Sequence, residues 1–152
     1  MKSSWPTETR GSVLRRARDL GAHEWADLVI AVVELAVARL KLAWSNPEPL
    51  LNARPARGTA KVADAGGGRL RRVSKAIARA SRRVPWRADC LVQALAARRW
   101  LSRHGIRTDL VVGVRPPAGR SLDAHAWLTC GDVVVTGGDV AEFVPLSPHG
   151  QR

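Results

Sequence analysis

Two residues with the chemistry of nucleophile and base stand 35 positions apart in this chain, Cys90 and His125. Cys90 follows Asp89 and opens a stretch with helical spacing, in which Cys90, Ala94, Ala97 and Leu101 share one face. At a helix start, unpaired N–H groups and the positive end of the dipole favour thiolate over thiol. His125 opens an extended stretch, Ala124 to Thr129. A cysteine nucleophile needs a base that is near in space, whatever its place in the chain. The pair therefore points to nucleophilic catalysis, with Cys90 attacking and His125 carrying the proton.

A third member follows from the hairpin that His125 begins. Ala124–Thr129 and Val133–Thr136 read as two strands around Cys130-Gly131-Asp132. If Cys130-Gly131 are the turn residues, His125 lies opposite Thr136. If Gly131-Asp132 are, it lies opposite Gly138. An orienting carboxylate must then come from about residues 136–140, and Asp139 fits. Asp132 sits at the far end of the hairpin, roughly 15–20 Å away at about 3.3 Å per residue. Asp123, two residues before His125, is the substitute. Gln93 lies one turn after Cys90 and either donates to an oxyanion or braces the helix start. The backbone N–H of Cys90 is the other oxyanion donor. Trp127 alternates in phase with His125 and is expected beside it. Trp86 precedes the helix and is expected to shape the cleft. Cys130 fits no zinc spacing with Cys90, His104 or His125, His104 and His149 read as ordinary surface histidines, and no phosphate loop or dinucleotide fingerprint occurs, so neither metal nor cofactor is implied.

The elements that position these residues are bounded by the composition. The chain has 152 residues, 45% hydrophobic and 25% charged, enough for a buried core. Two cysteines suit reduced thiols in a cytoplasmic setting better than a disulfide scaffold. The N-terminal stretch lacks the apolar region of a signal peptide. Net charge is +12, which directs attention to acidic peptides, membrane surfaces or nucleic acid. Residues 61–104 hold 12 Lys/Arg against 2 Asp/Glu, whereas residues 105–152 hold 4 against 5. The basicity thus belongs to two helices, 69–83 and 90–104, the second stopped by Gly105. On the first, Arg72 and Arg79 lie outside a narrow apolar stripe of Leu70, Val73, Ile77 and Ala80. They are candidates for binding an acidic peptide or partner.

Upstream, residues 9–22 read as a short charged helix and residues 24–44 as a long apolar one. Four charges, Asp27, Glu34, Arg39 and Lys41, argue against a membrane span. Glu24, Asp27, Ala31, Glu34, Ala38 and Lys41 form a single polar-to-small stripe. The expectation is a helix buried on most sides, and the alternative is a face for a partner or a peripheral membrane contact. Residues 46–68, with Pro47, Pro49, Pro55 and Gly66-Gly67-Gly68, read as a linker. The chain divides into an N-terminal helical segment and linker, 1–60, and a core, 61–152.

The stretch Pro85-Trp86-Arg87-Ala88-Asp89-Cys90-Leu91-Val92-Gln93-Ala94-Leu95, followed by Trp100-Leu101, His104-Gly105-Ile106, Leu110–Val114 and Ala124-His125-Ala126-Trp127-Leu128, carries a family pattern. It resembles the transglutaminase-like leader peptidases of lasso-peptide biosynthesis, over about residues 69–146. The resemblance implies an α+β fold, a papain-like or transglutaminase-like core with the nucleophile helix packed on a small antiparallel sheet. It implies a cysteine protease that cuts the leader from a ribosomally made precursor. Cys90 and His125 stand at the family's nucleophile and base, and Asp139 within Gly137-Gly138-Asp139 best matches its acid. Leu128-Thr129 stand where an acidic residue often follows the His-Ala-Trp motif in relatives. The short length is similar to the stand-alone split form. That form implies a small leader-recognition protein as partner and an ATP-dependent lasso cyclase acting on the released core. Two readings from other classes remain: a non-catalytic adaptor of the same fold, and a basic nucleic-acid-binding protein. Against the last, no recognition motif occurs and the strand half is near neutral.

Overall fold

The computed structural model describes residues 21–44, 67–115 and 123–146. The expected helix at 9–22, most of the linker at 46–68, the division at 60/61, the loop at 116–119 and His149 lie outside or largely outside them. Three helices and four strands follow in order: α1 (Ala22–Trp44), α2 (Gly67–Ser81), α3 (Cys90–Arg103), β1 (Asp109–Arg115), β2 (Asp123–Cys130), β3 (Val133–Thr136) and β4 (Val144–Pro145). The strands form one antiparallel sheet in the order β3-β2-β1-β4. The fold is α+β, as the sequence implies.

Each layer contributes to one core. Leu35 of α1, Ile77 of α2, Leu101 of α3 and Leu128 of β2 are all fully buried. Each such side chain stabilises the fold by roughly 1.5–3 kcal/mol relative to exposure. Alternation along β2 sends Leu128 and Cys130 to this core, and His125 and Trp127 to the opposite face.

Helix α1 corrects the expectation of a helix buried on most sides. Its polar-to-small stripe is the buried side, with Asp27, Ala31, Glu34, Leu35 and Ala38 turned inward. Asp27 pairs with Arg72 of α2, and Glu34 lies 2.8 Å from Arg99 Nε and 2.5 Å from Arg103 Nη1 of α3. Glu24 reaches Lys75 at 3.5 Å and Arg79 at 3.6 Å. Periodicity gives the two faces of a helix but not which one is inside. The arginine-rich partners decide it here, because buried acids must be paired.

Helix α3 ends in a sharp stop. Gly105, at φ +70°, donates to Ser102 O, and Ile106 N–H reaches back to Leu101 O. This closes the last turn and turns buried Ile106 onto the core. Gly131-Asp132 are the hairpin turn, since Cys130 pairs with Val133. The ladder then slips. Thr129 pairs with Val134 but Leu128 with Thr136, so Val135 is the extra residue of a bulge. Strand β4 was not expected. It is two residues long, and its Pro145 is tolerated because the strand is an edge. No helix among the described residues is long and apolar enough to cross a membrane.

Candidate active site

Cys90 is the first residue of α3 and is partly exposed. The first helical bond runs from Gln93 N–H to Asp89 O at 3.0 Å. The N–H groups of Cys90, Leu91 and Val92 therefore have no intrahelical acceptor. Asp89 sits at the cap position with extended backbone, but its side chain makes no capping bond. It pairs instead with Arg87 at 3.4 Å. Gln93 donates through Nε2 to Ala88 O at 2.7 Å and so braces the turn that delivers Cys90. Trp86, just upstream, has a buried indole N–H with no hydrogen-bond partner.

His125 is half-buried in β2, and Nε2 lies 2.7 Å from Gly137 O. A carbonyl can only accept, so Nε2 carries the proton and Nδ1 keeps its lone pair. Trp127 is stacked beside the imidazole at 6.2 Å between centroids, and Phe143 lies at 4.9 Å. The tryptophan is nearly buried, at 5% exposure. It needs two glycines: a Cβ on Gly113 would fall 2.6 Å from its ring, and one on Gly137 would collide with its Cβ. Gly137 also sits at φ +118°, a conformation costly for any other residue.

The bulge and the two glycines set where the carboxylates fall. Asp139 Oδ1 accepts from Ala141 N–H at 3.1 Å, closing a turn, and makes no bond to His125. Asp123 is held by Arg115 at 2.5 Å, and Glu142 accepts from the same guanidinium at 2.8 Å. That guanidinium also lies over the Phe143 ring, 5.3 Å from its centroid. Arg72 and Arg79 both face acids of α1. Cys130 is buried, and desolvation, with Asp109 second, pushes its thiol above the ordinary range. No group of three or more metal-ligating side chains occurs among the described residues.

The structure thus joins His125 to Trp127, Phe143 and Gly137 O. It does not join Cys90 to His125 by a hydrogen bond. Sequence reasoning missed the Gly137 carbonyl, because a backbone acceptor leaves no signature beyond the Gly-Gly pair. It also missed Phe143, although this is the chain's only phenylalanine.

No curated protein and no solved structure matches the chain. Residues 28–148 do match the transglutaminase-like superfamily, a span that runs from within α1 past β4 and includes Cys90 and His125. The chain is a member of the transglutaminase-like superfamily.

Proposed function

We propose that this protein is a cysteine peptidase that removes the leader peptide from a ribosomally made precursor in lasso-peptide biosynthesis. The observation that carries the reading is the contact of His125 Nε2 with the Gly137 carbonyl. The Nε2–H is occupied by Gly137 O, which leaves Nδ1 as the proton acceptor for a thiol. Cys90 at the start of α3, with three N–H groups free of helical acceptors, supplies nucleophile and oxyanion donors together. Family membership and the motif order around both residues support the same assignment.

In the reaction, His125 Nδ1 takes the Cys90 proton and the thiolate attacks the carbonyl at the leader–core junction. The oxyanion rests on N–H groups of the first turn. His125⁺ then protonates the departing core amine as the C–N bond breaks. Water, giving its proton to Nδ1, attacks the thioester and releases the leader as a carboxylate. The thiol and imidazole must close on each other for this, and binding of the leader with its small recognition protein supplies the closure. The orienting role expected of the Asp139 carboxylate falls to the Gly137 carbonyl, which Asp139 aims through its turn. The freed core then passes to the ATP-dependent cyclase.

Incubation of a precursor peptide with the chain and the recognition protein, read by mass spectrometry, is the test. Wild type is expected to cut once at the leader–core junction. Cys90→Ala and His125→Ala are expected to stay folded and to cut at no detectable rate. An active Cys90→Ala enzyme overturns the assignment. Cys90 alkylation that His125→Ala leaves unchanged, with no cleavage by wild type, identifies a non-catalytic adaptor.

A further inference from the structure

The outward face of α1 is the largest feature that the peptidase reading does not use. At 100° per residue its three acids point inward, each to a basic side chain of α2 or α3. The opposite side is apolar along the whole helix. Val29 is 58% exposed, Val33 51%, Leu40 51% and Trp44 85%, with Trp25 and Ile30 exposed on the same side. A surface helix normally has the reverse arrangement. At about 1.5 Å per residue the ridge from Trp25 to Trp44 runs for roughly 28 Å.

What would cover such a ridge follows from its shape and its borders. It is the convex side of a single helix. Arg39 and Lys41 flank it, one on each side, near its Trp44 end, and both are exposed. The chain as a whole carries +12, which opposes apposition of a second copy along this face. An anionic lipid surface meets all three conditions: it is flat, it accepts an apolar stripe at the headgroup–acyl boundary, and it attracts flanking cations. Tryptophans at the helix ends suit the same boundary.

We propose that α1 docks this protein on an anionic membrane surface. Val29, Val33, Leu40 and Trp44 enter the headgroup–acyl boundary, and Arg39 and Lys41 lie at the lipid phosphates. The docking is independent of the peptidase reading, since none of these residues has a role in the proposed chemistry.

The test is co-sedimentation of the full chain with vesicles of phosphatidylcholine, with or without about 30 mol% phosphatidylglycerol as anionic lipid. Wild type is expected to pellet with the anionic vesicles and far less with the neutral ones. The uncharged triple variant Val29→Ser, Val33→Ser, Leu40→Ser keeps every charge, and is expected to bind at least about tenfold more weakly. Arg39→Gln with Lys41→Gln is expected to weaken binding about tenfold through the charge contribution. All five positions are exposed, and far-UV circular dichroism checks that the variants keep their helices. Triple-variant binding equal to wild type shows charge-only adsorption and overturns the proposal. So does wild type remaining in the supernatant at low salt. A dimer in sedimentation velocity that the triple variant converts to monomer gives the face to a second copy instead, and also overturns it.

Discussion

His125 is held by a backbone atom, and a backbone acceptor is insensitive to the charge of nearby side chains. This separates two roles for Asp139. Its Oδ1 closes the turn with Ala141 N–H, and an asparagine Oδ1 closes the same turn. Asp139→Asn is therefore expected to cut precursor within about threefold of wild type, and Asp139→Ala to lose about tenfold or more, in line with the loss of a hydrogen bond worth about 1–1.5 kcal/mol. An inactive Asp139→Asn would show that the carboxylate itself meets the imidazolium during turnover. The two thiols differ as clearly. Cys130 is 3% exposed and its ionisation is disfavoured by burial, whereas Cys90 is accessible at a helix end. Iodoacetamide is expected to modify Cys90 in the folded protein and Cys130 only after denaturation, as peptide mapping will show. A thiol whose folded pKa is raised stabilises the fold while it is neutral. That contribution is whole below the unfolded thiol pKa and is lost as pH climbs through the folded one. The alkaline fall in melting temperature should be shallower in Cys130→Ala, measured against its own neutral-pH value.

At the scale of elements, α1 and α3 are tied by a buried acid. Glu34 is fully buried between Arg99 and Arg103, yet neither carboxylate oxygen accepts a well-directed hydrogen bond. Charge holds this contact, and removing the acid leaves a space at the seam beside two partly exposed guanidinium groups. Glu34→Ala is expected to cost about 1–2 kcal/mol, and Glu34→Gln less, by thermal or urea unfolding. Helix α3, its Gly105 stop and the hairpin were legible in the sequence, because capping and turn residues act locally. The site was legible as far as its side chains: Cys90 at a helix start, His125 on a strand, Trp127 in phase with it. The bulge at Val135 was not. One unpaired residue changes which backbone atom faces His125, and nothing in the composition of Val133–Val135 announces it. Strand β4 was equally silent, since two residues that include a proline carry no alternation. The inverted orientation of α1 was hidden because its outcome depends on arginines of α2 and α3.

For the whole molecule, the ties of α1 decide what can fold by itself. The superfamily match begins inside α1, and Leu35, Ala31 and Ala38 belong to the same core as Leu128. Residues 61–152 alone would expose that core together with Arg99 and Arg103. This fragment is expected to show no cooperative thermal transition, and adding residues 1–60 as a separate chain to restore one. A sharp melt from the fragment by itself would show that α1 is dispensable. The same dependence governs how the chain is born. Synthesis proceeds from the N-terminus, and Arg99 is made 65 residues after Glu34. Until Arg99 and Arg103 follow, the Glu34 carboxylate has neither of its folded-state partners. The nascent chain consequently passes through a stage when α1 exists before the arginines that pair its acids.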